Sequence, residues 1–292
     1  MADTAILLRK RFDLKEEISE CEIDQLLSQS QIVKKLTKDY EENNFFQIFR
    51  IICLSEIPYV ERLPYTKKIL SFISQRLATP YGFSYTGALD YIVPCYNALL
   101  LEAYVRLGLN ETLEVKNALE WIKKYQIFER GQITQWQYDG ICKHGGCMHS
   151  TPCYIGIGKT VRALITYSDY INTQDYEVEE MIDRGVSYML EHNMYQRLSN
   201  QKPISKHITD IIFPQAYMLS LTDLVYIATK RSLWNDGRTD NLKALLKLKM
   251  TQPDRWKIEY IYSHKGYKSF ETRRNPSEWI NYLYSTMIDN SD

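Results

Sequence analysis

Four prolines recur along this chain at a nearly constant interval. Pro94, Pro152, Pro214 and Pro276 lie 58, 62 and 62 residues apart, and each precedes an apolar stretch with helical spacing. Proline is favoured at the first helical position, where its missing N–H leaves no hydrogen bond unmade. A fixed period with the same helix-start chemistry is typical of a repeat architecture. The chain is therefore predicted to consist of repeated helical units.

A second amphipathic helix is predicted after each leading helix, because apolar residues recur at helical spacing, as at Val115, Leu119 and Ile122. The predicted second helices are 65–77, 114–126, 177–193 and 241–252. A leading helix without its proline is predicted at 44–55, and one or two further helices at 15–39. No alternating apolar run is long enough to predict a sheet.

The predicted unit is a helix, a short loop, a second helix and a long loop. The long loops contain glycine and aromatic residues and span 78–93, 127–151, 194–213 and 253–275. Helix-pair repeats either stack into an open solenoid or close into a ring. A repeat near 60 residues is longer than the roughly 34–47 residues of common helical solenoids. We therefore expect an all-α fold, an α/α toroid of about five helix pairs.

Composition narrows the class of protein further. The 292 residues contain 36 Lys+Arg and 36 Asp+Glu, so the net charge is zero and the composition does not resemble that of a nucleic-acid binder. No apolar run approaches the ~20 residues of a membrane span. The N-terminus has only a short apolar run before Arg9, too short for a signal peptide. Six irregularly spaced cysteines in such a chain indicate a reducing cytoplasm and free or metal-bound thiols.

The organisation predicts a single domain over 1–292, because no Pro/Gly/Ser-rich linker divides it. Residues 1–43 are expected to form an N-terminal helical extension and residues 44–292 the repeats.

The densest group of potential metal ligands lies in the long loop before the second periodic proline. Its members are Asp139, Cys142, His144, Cys147, His149 and Cys153. Thiolate and imidazole are ligands that zinc prefers. We expect one zinc ion held by Cys147, His149 and Cys153, with Cys142, His144 or a more distant histidine as the fourth ligand. The start of a helix would favour the Cys153 thiolate.

A structural role for Cys153 stays open at this stage. The triplet Pro-Cys-Tyr occurs twice, at 94–96 and at 152–154, so Cys153 fits a small buried residue at a repeat position. No Cys-x-x-Cys pair is present, and that spacing is the usual mark of a zinc site.

The repeat resembles that of terpenoid cyclases and protein prenyltransferase β-subunits. The resemblance rests on a Gly-aromatic turn, a polar loop and a helix start with Cys and Tyr, and GGCMHSTPCYIGIGKTVRAL (145–164) carries it best. It implies a toroid enclosing a cavity for an isoprenoid-like substrate. Two family features differ here. The Asp-x-Asp-Asp motif of squalene-type cyclases is absent, and Thr151 takes the place of the prenyltransferase aspartate two residues before Cys153.

Other titratable residues are expected at the same end of the fold, because the long loops of a closed toroid emerge together. His207, His264 and Asp210 lie in such loops, and Asp139 belongs to the cysteine-rich one. Asp223 is different, since it lies inside the apolar stretch AYMLSLTDLVYIA. Buried there, it would have a raised pKa suited to general acid catalysis. A position on the solvent-facing side of its helix is the alternative. Asp223, Asp139 and Asp210 are the candidate catalytic carboxylates.

Substrate contacts are predicted from two residue types. Arg273 and Arg274 precede a proline-led helix and could hold a diphosphate or carboxylate there, or could simply be solvated. Tyr154 and Trp136 are the aromatic candidates, because aromatic faces stabilise cationic intermediates.

These patterns favour a cavity-type enzyme acting on a small isoprenoid-like or other apolar substrate, cyclase- or transferase-like, with zinc as its cofactor. Two alternatives remain: a zinc-dependent enzyme that modifies thiols or peptides on the same scaffold, and a non-catalytic interaction module. We expect no nucleic-acid partner and no membrane span. The sequence does not indicate an oligomeric state.

Overall fold

The computed structural model describes residues 2–138, 147–148, 151–171 and 175–288, and helices dominate it. The described part holds α1 (Thr4–Asp13), α2 (Glu20–Gln29), α3 (Gln31–Thr37), α4 (Asn44–Leu54), α5 (Pro64–Arg76), α6 (Pro94–Arg106), α7 (Leu113–Tyr125), α8 (Tyr154–Tyr170), α9 (Tyr176–Glu191), α10 (Leu221–Lys230), α11 (Asp240–Leu248) and α12 (Glu278–Ile288). One antiparallel hairpin pairs β1 (Ala78–Thr79) with β2 (Gly82–Phe83). The predicted all-α class is confirmed.

The predicted second helices are all present, and side-chain caps mark the starts of some helices. The four predicted second helices are α5, α7, α9 and α11, and each begins one residue before its predicted start. Asn43 accepts a hydrogen bond from the Phe46 N–H at the start of α4, and Asp175 accepts one from the Val178 N–H at the start of α9. These side chains satisfy backbone donors that the first helical turn leaves unpaired. The 15–39 segment forms α2 and α3, whereas α1 was not predicted.

The periodic prolines do not all open helices as expected. Only Pro94 occupies the first position of its helix, α6. Pro152 and Pro276 each lie two residues before the next helix, and Pro214 lies seven residues before α10. The prediction of a helix beginning at Pro214 is therefore wrong.

A capping box explains the late start of α10. The Ser220 hydroxyl accepts a hydrogen bond from the Asp223 N–H, and the Asp223 carboxylate accepts one from the Ser220 N–H at 2.8 Å. This reciprocal pair satisfies two backbone donors and fixes the first turn at Leu221. Residues 214–220 remain non-helical.

The leading helices of the successive pairs form one continuous layer. α4 contacts α6, α6 contacts α8, α8 contacts α10 and α10 contacts α12. The second helices α5, α7 and α9 pack on α4, α6 and α8, respectively. We call α4, α6, α8, α10 and α12 the inner helices.

The inner helices α4, α6, α8 and α10 run in the same direction, because their starts meet starts and their ends meet ends. The ring of Phe45, in the first turn of α4, lies 5.9 Å from that of Tyr96, in the first turn of α6. At the other end, Asp169 of α8 pairs with Lys230 of α10 at 2.7 Å. The molecule therefore has a start end and a finish end, named after the two ends of the inner helices.

The N-terminal helices connect the two outermost members of the inner layer. The Tyr282 hydroxyl of α12 donates a hydrogen bond to Asp13 of α1 at 3.0 Å, while α3 packs against α4. The loop before α12 also reaches α4, since Arg50 Nε donates to the Gly266 carbonyl at 2.8 Å. Contacts therefore link α12 back to α4.

Candidate functional site

Half-buried aromatic rings gather at the start end of the inner helices. We call Phe45, Tyr85, Tyr96, Tyr217, Tyr262 and His264 the aromatic cluster. The Tyr96 ring lies 5.0 Å from that of Tyr85 and 5.3 Å from that of Tyr217, and the Phe45 ring lies 5.2 Å from that of His264. Each of these contacts joins different segments, which places one aromatic surface across the start end.

The tyrosines of this cluster hold their protons strongly. Burial raises the pKa of Tyr85 to about 12 and raises that of Tyr96 further. The neighbouring Cys95 thiol, followed by burial, raises the pKa of Tyr217. The hydroxyl groups are therefore neutral hydrogen-bond donors beside an apolar surface.

Cysteine thiols lie beside Tyr217. Cys95, Cys153 and Cys147 each act on the ionisation of Tyr217, in that order of strength for the thiols. Cys95 belongs to the first turn of α6 and Cys153 is the residue that caps α8, so adjacent parallel helices bring the two together. Sequence reasoning did not select Cys95 for the site, although the repeated Pro-Cys-Tyr triplet was the available signal.

Cys153 is the most acidic thiol of this group. A hydrogen bond from the Cys147 side chain, with smaller contributions from the backbone N–H groups of Gly156 and Ile155, lowers the pKa of Cys153 to about 6 against the opposing effect of burial. Donors at a helix start stabilise a thiolate in this way. Burial instead raises the pKa of Cys95 to about 12. At neutral pH the pair therefore comprises a thiolate at Cys153 and a neutral thiol at Cys95.

Cys147 and Cys153 are the predicted zinc ligands that lie within the described residues. Asp139, Cys142, His144 and His149 lie outside the described residues. Among residues 2–138, 147–148, 151–171 and 175–288, no three Cys, His, Asp or Glu side chains are placed to hold a metal ion together. Cys147 and Cys153 do lie in contact, as two ligands of one ion would.

Asp223 lies away from solvent and is fully paired. Its Oδ1 is 3.0 Å from Lys159 Nζ and 2.9 Å from Arg162 Nη1, and its Oδ2 caps α10. Burial alone would raise the pKa of Asp223, but the charges of Lys159 and Arg162 hold it below the usual value. The expected raised pKa is therefore wrong, and so is the alternative of a solvent-facing position.

Asp223 belongs to a larger set of buried charges between the inner helices. Arg162 Nε donates to Glu102 at 3.0 Å, and Arg106 Nη2 lies 2.8 Å from the same carboxylate. Glu56 lies 3.4 Å from Arg162 Nη2. We call Glu56, Glu102, Arg106, Lys159, Arg162 and Asp223 the buried ion network; its three carboxylates balance its three cations. The sequence analysis selected only Asp223 from this network. Charged residues inside apolar helical stretches were the signal that could have indicated the other members.

The other loop residues divide between two neighbourhoods. His264 belongs to the aromatic cluster, because its imidazole ring contacts the rings of Phe45 and Tyr262. His207 stacks on Tyr260 at 3.8 Å, and its Nδ1 lies 2.8 Å from the Asp210 carboxylate. Asp210 thus has a histidine partner and remains partly exposed.

The two aromatic candidates from the sequence lie outside the aromatic cluster. Tyr154 is buried against His192, and its hydroxyl donates to the Met194 carbonyl at 2.5 Å. Trp136 is buried against Trp121 and Tyr125 of α7. Their rings pack against the second helices.

Arg273 and Arg274 are exposed and make no ion pair within the described residues. The start of α12 is already occupied, because the Glu271 carboxylate accepts hydrogen bonds from the Glu278 N–H at 2.7 Å and the Trp279 N–H at 3.4 Å. An anion bound by the two arginines would have to compete with Glu271 for those backbone donors.

The comparisons with known proteins give no further assignment. No family model, curated protein or solved structure matches the chain. In the described part of the chain, none of the helices combines the length and apolar character needed to cross a bilayer.

Proposed function

We propose that this chain is an α/α toroid enzyme that acts on an isoprenoid-like or other apolar substrate at the start end of the inner helices. The observation that carries the proposal is an acidic thiol, Cys153, beside a half-buried aromatic cluster. The parallel inner helices and the contacts from α12 through the N-terminal helices to α4 support the closed ring.

The aromatic cluster would hold the apolar body of the substrate. Aromatic side chains supply large apolar area, and their faces attract positive charge that develops during a reaction. Tyr96 and Tyr217, stacked at 5.3 Å, supply aromatic faces close to the thiols. Their raised pKa values keep them neutral, which preserves a surface suited to an apolar ligand.

Cys147 and Cys153 would supply the reactive group. Zinc binds deprotonated thiols, so a thiol with a pKa of about 6 fits a zinc ligand at neutral pH. Cys147 and Cys153 would hold the ion together with His149, and Cys142 and His144 are the sequence candidates for the fourth position. When bound, zinc can activate a thiol, lower the pKa of a water molecule or polarise a substrate oxygen.

A second candidate uses the same residues for different chemistry. A zinc-dependent enzyme that modifies thiols or peptides would also require the Cys153 thiolate, and the low pKa favours it. It differs from the leading proposal in needing no apolar substrate surface. A test of ligand binding to the aromatic cluster therefore separates the two.

Binding of an isoprenoid alcohol tests the proposal. Farnesol should bind the full chain with one site, as measured by equilibrium dialysis of the radiolabelled alcohol. Tyr217→Ala should weaken binding by about tenfold, since it removes a large apolar face. Tyr176→Ala is the matched control, because Tyr176 is 76% exposed on α9. Equal affinities for the two variants, or no saturable binding by the wild type, would contradict the apolar-substrate proposal.

A further inference from the structure

A cleft lies at the opposite, finish end of the inner helices. Its volume is about 710 Å³, within the range of small-molecule sites. The ends of α6, α8 and α10 form one wall, and α1 with the turn that follows it forms the other. The aromatic cluster and the cysteines lie at the start end, so this cleft is distinct from the site described above.

Arg106 forms a fixed cationic floor in this cleft. Its side chain is only 6% exposed, and its Nε donates to Glu102 at 2.8 Å. Its Nη1 lies 3.8 Å from Glu56, beyond hydrogen-bond distance, and donates no hydrogen bond to the described residues. The buried ion network thus holds the guanidinium in place while leaving one nitrogen available to a ligand.

Two more cations face the cleft from α1 and its following turn. Arg9 Nε pairs with Asp13 at 2.8 Å, which leaves both terminal nitrogens without a hydrogen-bond acceptor in the described chain. Lys15 lines the cleft, adopts a left-handed backbone with φ of 55°, and forms no ion pair with any described residue. Cations at helix ends often serve only to offset the helix dipole. That explanation suits Arg106, but it does not account for Arg9, which lies in the middle of α1.

Aromatic rings form the walls between these cations. Tyr59, Tyr170 and Tyr226 line the cleft together with Phe12. Tyr59 also has a left-handed backbone, with φ of 65°. A tyrosine rarely adopts this conformation without a local requirement, and such residues concentrate at binding sites. The cleft therefore combines planar apolar walls with unsatisfied cationic donors.

We propose that the finish-end cleft binds an oxyanion, a carboxylate or a phosphate, carried on an aromatic or similarly planar apolar body. Arg106 Nη1 and Arg9 would hold the oxyanion through charge-assisted hydrogen bonds, and Lys15 would close over it. The tyrosine rings would pack against the body. An amine ligand is disfavoured, because each carboxylate that lines the cleft already has a cationic partner. Asp13 pairs with Arg9, Glu16 with Arg11 and Asp169 with Lys230.

Isothermal titration calorimetry with the full chain tests this inference. Benzoate and phenyl phosphate represent the carboxylate and the phosphate, each on an aromatic body. Inorganic phosphate represents an oxyanion without an apolar body, and benzylamine represents an aromatic body with the opposite charge. We expect benzoate, phenyl phosphate or both to bind one site, inorganic phosphate to bind more weakly, and benzylamine not to bind. Inorganic phosphate binding as tightly as both aryl anions would overturn recognition of the apolar body, and benzylamine binding as tightly as benzoate would overturn the charge assignment.

Variants locate the binding. Arg9→Gln should weaken the tighter aryl anion roughly tenfold, because it removes charge-assisted hydrogen bonds from a partly buried group. Lys15→Gln should weaken it by about twofold to fivefold, as expected for an exposed charge. Lys67→Gln changes an exposed cation on α5 that does not line the cleft, and it should leave the affinity unchanged. Arg106 is left intact because it also supports the buried ion network. Unchanged affinity in Arg9→Gln would overturn the proposed site.

Discussion

Lys159 Nζ lies 3.0 Å from Asp223 Oδ1, and both side chains are completely removed from solvent. The contact joins α8 to α10 at the centre of the inner layer. Burying two charges is costly unless each is paired and hydrogen-bonded, as both are here. The interaction ties the register of the two helices to one arrangement of the buried ion network.

Asp223→Asn should destabilise the fold strongly. The substitution leaves Lys159 and Arg162 without their shared carboxylate in a buried environment, which typically costs about 3–5 kcal/mol. Urea denaturation followed by circular dichroism measures the change in the free energy of unfolding. Glu111→Gln is the control. It breaks an ion pair with Lys116 on the surface, where the Glu111 side chain is 81% exposed and that of Lys116 is 59% exposed. A similar small change in both variants would show that the network does not stabilise the fold.

Stability should fall as the solution is acidified from pH 5 to pH 2. Burial opposes ionisation of Glu102, but Arg162 and Arg106 lower its pKa from 4.5 to about 2. A carboxylate with a depressed folded-state pKa contributes stability above its unfolded-state pKa and loses it as pH falls through the folded value. The unfolding free energy, measured by urea titration at several pH values, should therefore decrease across this interval. In Glu102→Gln the decrease should be shallower, and an identical slope would contradict the assignment.

Cys153 should react with iodoacetamide as a thiolate well below the usual pH for cysteine. In metal-free protein its alkylation rate should rise with a midpoint near pH 6, set mainly by the hydrogen bond from Cys147. Peptide mass spectrometry resolves each cysteine. Cys95, with a pKa near 12, should remain unreacted over the same range. Cys147→Ala should move the alkylation midpoint of Cys153 to higher pH. An unchanged midpoint would show that Cys147 does not stabilise the Cys153 thiolate.

Close contact between α8 and the loop before α10 makes Gly158 sensitive to substitution. A methyl group added there would lie 2.4 Å from Leu219 Cδ1 and 3.1 Å from its Cγ, and Leu219 is fully buried. Gly158→Ala should therefore destabilise the protein by about 1–3 kcal/mol through overpacking. Gly237→Ala meets no atom closer than 3.8 Å and should be nearly neutral. Thermal unfolding of both variants makes the comparison, and equal melting temperatures would refute the predicted crowding.

Much of the helical order followed from the sequence, because it depends on local patterns. The spacing of Val115, Leu119 and Ile122 placed α7 within one residue. The start of α10 was missed because the capping box of Ser220 and Asp223 outweighed the proline signal. That same box, together with Lys159, explains the role of Asp223 that its apolar neighbours obscured.

The candidate site was harder to predict, since it depends on contacts between distant segments. Cys95 and Cys153 are 58 residues apart, and only the parallel packing of α6 and α8 brings their helix starts together. The rings of Tyr96 and Tyr217 meet across an even longer separation. Residue type and spacing led to the prediction of Cys147 and Cys153 as ligands, but they could not reveal which aromatic residues would surround them.

Zinc content tests the central claim, that Cys147 and Cys153 form the reactive centre at the start end. Protein purified without an affinity tag should contain about one zinc per chain by plasma mass spectrometry, because two thiols in contact fit one ion. Cys153→Ala should lose the metal, whereas Cys21→Ser, at an exposed site on α2, should retain it. A wild-type protein without zinc at neutral pH, or stoichiometric zinc in Cys153→Ala, would contradict the account.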